Sequence, residues 1–175
     1  MTFHTFRLSL SAALVLALFV GCSDNKPDGF PDVHPTTIRI LKDGVPLDKV
    51  AVSLETSNPA FRNISYSGET NSQGTAVLET IYPGYRTRGL PLGEYRVALR
   101  KRDIIEGEKP IEELKRMDTD TLAEYTAEIE RKRRTHVPTI PPHFWEFETS
   151  PLRITIEPGG ADVTFDVSDF PAGSR

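Results

Sequence analysis

Residues 68–78 read "GETNSQGTAVL", and the fold turns on how this stretch is taken. Asn71 tolerates a left-handed backbone and can bond its own main chain, and Gly74 supplies the positive φ that a reversing chain needs. The residues before the turn, "ISYSG" (64–68), and those after it, 75–81, are β-forming. The stretch therefore reads as two strands joined by a tight turn.

The same alternation extends outward on both sides. "TTIRILK" (Thr36–Lys42) sets Ile38 and Ile40 on one face. Asp43-Gly44 follows, a strong turn signal between strands, and Pro46 is tolerated where a strand begins. "VAVSLET" (Val50–Thr56) puts Val50, Val52 and Leu54 on one face, and "EYRVALRK" (94–101) does so with Tyr95, Val97 and Leu99. "SNPAFRN" (57–63) and the Gly- and Pro-rich "YPGYRTRGLPLGE" (82–94) read as loops.

From residue 109 the texture changes. Residues 109–135 have helix-forming composition and no β alternation. Pro110 suits a first helical turn. Ile111 and Leu114 share one face, and Leu122, Tyr125 and Ile129 share another in a different register. "MDTDT" between them is poor in helix formers, and Thr121 with Glu124 offers a capping box. The expectation is two short helices, or one with a kink. A Pro-rich passage, "THVPTIPPHFWEFETS" (135–150), precedes "LRITIEPGGADVTFDVSD" (152–169). The latter reads as a β-hairpin, with Leu152, Ile154 and Ile156 facing Val163, Phe165 and Val167 across Gly159-Gly160. Strands at regular spacing predict a mainly β chain: a β-sandwich over 36–169, a helical insertion at 109–135 before the C-terminal hairpin, and a tail at 170–175.

These stretches fall in the order of a known family. "KDGVPLDKVAVSLET" (42–56) resembles the "DGKPLxxAxVxF" opening of carboxypeptidase regulatory-like, transthyretin-like domains. "GETNSQGTAVL" resembles their "G-x-T-D-x-x-G-x-Y" signature with Asn71 in place of Asp, and "GLPLGEYRVALRK" (89–101) resembles "GLPPGxYxVxV". Residues 137–167 resemble the ending of small bacterial lipoproteins of this fold: an "IPxKY" segment, Thr-Ser before a strand, then "V-x-P-G-x-N-x-x-x-F". The resemblance covers roughly residues 36–101 and 138–169 and implies a transthyretin-like (Ig-like) β-sandwich. The same broad fold carries 5-hydroxyisourate hydrolase, whose C-terminal Tyr-Arg-Gly-Ser has no counterpart in the "PAGSR" at the end of this chain.

At the other end, "SAALVLALFVGC" (11–22) holds the single cysteine, Cys22. The uncharged run 8–20 is 13 residues, roughly 20 Å as a helix against a bilayer core of about 30 Å, so it suits the h-region of a signal peptide better than a membrane span. "FVGC" resembles a bacterial lipobox. That resemblance implies a signal peptide at 1–21, cleavage after Gly21, a diacylglycerol thioether on the Cys22 sulfur and fatty acylation, such as by palmitate, of the new amine. Two or three chains, at ~0.8 kcal/mol per buried CH₂, make a stable anchor. A plain signal peptide with a chance cysteine, or a buried cytosolic cysteine, are the alternatives. Residues 22–35, polar and rich in Pro, Gly and Asp, read as a flexible tether. Ser23 follows the cysteine where, by the same resemblance, Asp would mark inner-membrane retention, so the outer membrane is favoured over the inner.

Residues 1–21 carry one charge, Arg7, leaving 20 basic against 25 acidic residues in the mature chain. A nucleic-acid partner is not expected from such a balance. Neither a catalytic set nor a cofactor or metal site is expected. His136 and His143 lie seven apart with Pro138, Pro141 and Pro142 between them, which matches no zinc spacing, and no G-x-S-x-G is present. "RKRR" (131–134) could meet anionic lipid headgroups or complement a helix dipole. Phe144, Trp145 and Phe147 form either core or an exposed stacking surface. The expectation is a membrane-anchored envelope lipoprotein with a non-catalytic binding or structural domain, its partner an envelope protein or polysaccharide. Two alternatives make further demands. A carbohydrate-binding module asks for Trp145 exposed beside another aromatic. A hydrolase or metal-dependent enzyme asks for His136 and His143 to converge with carboxylates.

Overall fold

Ile38, Ile40, Val50, Val52, Val97 and Leu99 are fully buried, while Arg39, Ala51 and Ser53 between them face solvent. That two-residue period places one face of each strand on a shared core. The computed structural model describes residues 26–61 and 63–171. In chain order it contains β1 (Thr36–Lys42), β2 (Val45–Pro46), β3 (Val50–Thr56), β4 (Ser65–Glu69), β5 (Thr75–Val77), β6 (Glu79–Tyr82), β7 (Tyr85–Arg88), β8 (Gly93–Lys101), α1 (Ile111–Leu114), α2 (Thr119–Thr135), β9 (Arg153–Ile156) and β10 (Ala161–Asp166). Single 3₁₀ turns occupy Pro59–Phe61, Pro142–Phe144 and Val167–Asp169. One sheet has the order β10-β1-β2 with β5 also on β1, and the other runs β7-β6-β4-β3-β8-β9. The core lies between them. It takes Ile38, Ile40 and Ala76 from the first sheet, Val52, Tyr66, Val97 and Ile154 from the second, and Ile140 and Phe144 from the Pro-rich passage. The protein is mainly β and built as a β-sandwich.

Four expectations need correction. Residues 75–81 are not one strand: β5 pairs with β1 in the first sheet, β6 pairs with β4 in the second, and Leu78 between them makes the crossing. Residues 152–169 are not a hairpin either. β9 runs antiparallel to β8, whereas β10 runs parallel to β1, and an isolated bridge between Glu157 and Gly160 closes the turn. Leu152, Ile154, Ile156 and Val167 are nonetheless buried as the alternation implied, because periodicity sets the face of a strand and not its neighbour. The supposed loop at 82–94 contains a hairpin, β6–β7, with Tyr82 opposite Tyr85. Finally, α2 starts earlier than the Thr121–Glu124 capping box suggested. Asp118 is its N-cap and accepts a hydrogen bond from the Thr121 N–H at 3.0 Å, which satisfies one of the first-turn donors. Two helices do form rather than one kinked helix, but only the single turn of α1 is short, since α2 runs to 17 residues.

The tether is also shorter than its composition indicated. Residues 22–25 lie outside the described residues, but Phe30 is buried, its ring edge-on to Tyr85 at 4.8 Å and to Tyr82 at 6.3 Å. The His34 N–H donates to the Leu90 carbonyl (2.8 Å), and the Leu90 N–H returns the bond (2.9 Å). Two glycines make room for this strap. A Cβ on Gly89 would stand 2.5 Å from the His34 carbonyl oxygen, and one on Gly160 would overlap the carbonyl oxygen of Pro35. One aromatic ring among polar residues was enough to dock the segment, given the area such a ring buries.

Two buried tyrosines sit side by side at the start of β8. The Tyr95 hydroxyl donates to the Pro91 carbonyl at 2.9 Å, the contact of a tyrosine corner. Tyr66 packs edge-on against it, centroids 5.2 Å apart, and its own buried hydroxyl has no hydrogen-bond partner among the described residues. Burial pushes the Tyr66 phenol up to about 12. Tyr95→Phe is expected to cost about 1–3 kcal/mol by leaving a buried carbonyl unpaired, whereas Tyr66→Phe should be neutral or stabilising by up to about 1 kcal/mol. Urea unfolding of the two variants checks this, and equal losses would contradict the assignment.

Candidate functional site

Strand β8 delivers Lys101 to the far end of the sandwich, and the chain then continues as Arg102, Asp103 and Ile105. The C-terminus of α2 returns to the same place with Arg133 and His136, and the Pro-rich passage adds Pro138 and Trp145. These residues line a cleft of about 410 Å³.

Two carboxylates hold its walls. The Asp103 side chain, 13% exposed, pairs with His136 Nε2 at 3.2 Å and accepts the Thr139 N–H at 2.8 Å. Burial opposes ionisation of Asp103, but the hydrogen bonds from Thr139 and His136 outweigh it and hold the carboxyl below its usual range. Glu108 accepts from Arg102 at 2.7 Å, from Arg133 at 3.1 Å and from the Ile105 N–H at 3.3 Å. The Arg102 bond is the main reason that its carboxyl is also lowered. Lys101 bonds the carbonyl and the carboxylate of Asp48. Trp145 gives its indole N–H to the Ile140 carbonyl at 2.9 Å and leaves 36% of its surface exposed. Ile104 and Val137, beside the cleft in sequence, are largely exposed. The cleft thus joins an aromatic face and exposed aliphatic side chains to cations already engaged by carboxylates. The Asp103–His136 pair has no hydroxyl or thiol among the lining residues to activate.

The other residues singled out in the sequence are dispersed. Phe144 is fully buried in the core, and Phe147 is half-buried in a separate groove with Phe61 and Ile64. The row Phe144, Trp145, Phe147 is therefore divided among three environments, because the 3₁₀ turn at Pro142–Phe144 sends successive side chains in different directions. His143 Nε2 meets the Phe170 carbonyl at 3.0 Å, and His34 Nδ1 accepts the Gly159 N–H at 3.4 Å. His136 and His143 thus serve different partners. Among the described residues no three His, Cys, Asp or Glu gather as a metal site. In "RKRR", Lys132 pairs with Glu128 and Arg133 with Glu108 and Glu130. Cys22 lies outside the described residues. No helix among them is long and apolar enough to cross a membrane.

Asp103 and Glu108 were not foreseen. The one sequence signal was a cluster of charges, "RKRDIIEGE" (100–108), placed where a strand gives way to an insertion. Since the folded pKa of Asp103 lies below its unfolded value of about 3.9, its contribution is complete above about pH 4 and is lost as pH falls towards the folded value. Asp103→Asn is expected to cost about 1–3 kcal/mol near neutrality. The gap from wild type should shrink below about pH 4. Denaturant titrations at pH 7 and pH 3 test this, and an unchanged gap would contradict it. Compared with known proteins, the chain matches no family model, no curated protein and no solved structure.

Proposed function

We propose that the chain is a lipid-anchored protein of a bacterial cell envelope, with a transthyretin-like, carboxypeptidase regulatory-like sandwich that acts by binding and not by catalysis. The observation that carries this reading is the apolar run ending in Gly21-Cys22, set directly before a domain that is ordered into its fold from the Phe30 strap onward. The outer membrane is the favoured site, because Ser23 follows the cysteine. The binding surface is the cleft of Arg102, Arg133, His136 and Trp145, and its partner is an envelope protein or polysaccharide. Separate structural bonds at His34, His136 and His143 support binding over hydrolysis or metal chemistry. The carbohydrate-binding alternative has less support, since Trp145 is part-exposed but no second Phe, Tyr or Trp among the described residues lines the cleft beside it.

Cys22→Ser tests the anchoring. The variant should lose signal-peptide processing and leave the detergent-soluble membrane fraction. The wild-type N-terminal peptide should carry the mass of a diacylglyceryl cysteine. A Cys22→Ser chain processed and retained on the membrane like wild type would overturn the proposal.

A further inference from the structure

We infer that the pole of the sandwich bearing the β6–β7 hairpin lies against the lipid headgroups of the membrane that holds the chain, with the cleft turned away from it. The inference rests on the anchoring at Cys22 proposed above.

The strap decides where the anchor leaves the domain. Phe30 is seated on Tyr82 and Tyr85, the His34 main chain is bridged to Leu90, and the Pro35 carbonyl fills the space at Gly160. All of these contacts are at one pole, where β8 begins. The chain is already fixed ahead of Phe30, whose N–H donates to the Pro27 carbonyl at 3.0 Å, and Lys26 pairs with Asp32 at 2.8 Å. Four residues, 22–25, then remain, and four peptide steps reach at most about 14 Å. From Gly93 to Lys101, β8 is nine residues, or about 27 Å, and the cleft lies at its far end. Turning the cleft to the bilayer would need about twice the reach of that anchor segment. With the hairpin pole towards the bilayer, four residues suffice.

The surface at that pole suits the headgroup zone. Pro83 and Gly84 form an exposed tip between the half-buried rings of Tyr82 and Tyr85. Leu92 is 45% exposed. Tyrosine rings favour the membrane–water interface. Arg86 is exposed on β7 two residues past the tip and pairs with Glu79 at 3.4 Å, and a guanidinium group at a membrane surface attracts anionic lipid. Exposed Glu94 and Glu157 share the pole, so aromatic and apolar contact, more than net charge, holds it there. The sandwich then acts as a spacer that carries the cleft outward.

Trp145 is the chain's one tryptophan and reports from the cleft. Leu92→Trp in a Trp145→Phe background reports from the hairpin pole, with Pro83→Trp at the tip in the same background as a second probe. Each chain, starting at Cys22, is coupled through that thiol to maleimide-bearing vesicles of phosphatidylethanolamine and phosphatidylglycerol with brominated acyl chains. Because the coupling is chemical, the measurement reads orientation whether or not Cys22 is acylated in the cell, which the mass of the N-terminal peptide reports separately. Brominated lipid is expected to quench the Leu92→Trp and Pro83→Trp chains and to leave Trp145 of the wild type unquenched. Quenching of Trp145 alone, of all three equally, or of none overturns the inference.

Discussion

The architecture depends on Leu78, the residue at which the chain passes from one sheet to the other. Its N–H donates to the Thr36 carbonyl at 3.0 Å, at the start of β1, and its carbonyl accepts from the Gly89 N–H at 2.8 Å, just beyond β7. Its side chain is fully buried. One residue therefore satisfies backbone groups on both sides of the sandwich while its side chain packs in the core between them. Gly68 on β4 shows how close the approach is, since a Cβ there would meet the Val77 carbonyl oxygen at 2.8 Å and a Leu78 methyl at 3.0 Å. The strap inherits its seat from the same crossing. Gly89 is held by Leu78 through its N–H and by the Thr80 hydroxyl, at 2.6 Å, through its carbonyl. Leu90 is thereby presented to His34, and Thr36 donates its hydroxyl back to the His34 carbonyl at 3.0 Å.

How much of this could be read beforehand follows from what alternation encodes. Thr36–Lys42 and Val50–Thr56 were legible to the residue because each strand has one face in the core and one towards water. β8 was legible for the same reason, to within one residue. Strand partners were not. Ile156 and Val163 look like two arms of a hairpin, yet they belong to different sheets, and a strand that changes sheet keeps its period of two throughout. The strap was invisible because a single Phe30 has no periodicity to betray it. In the cleft, Trp145 could be named from its chemistry. The pairs Asp103–His136 and Glu108–Arg133 span 33 and 25 residues, a separation over which local patterning says nothing.

The insertion is fixed to the sandwich by packing first and by charge second. Ile105 and Ile129 are buried outside the main core, and each such side chain contributes about 1.5–3 kcal/mol on burial. Exposed ion pairs of the Arg102–Glu108 kind contribute about 0–1 kcal/mol, with Arg102 81% exposed. The aliphatic contacts therefore supply most of the attachment. The carboxylates select its register, since Glu108 reaches one cation from each side of the junction and the Ile105 main chain as well. An insertion packed in this way holds the walls of the cleft together. Under the binding role proposed above, a preformed cleft would avoid the ordering cost that a loose arm brings to association.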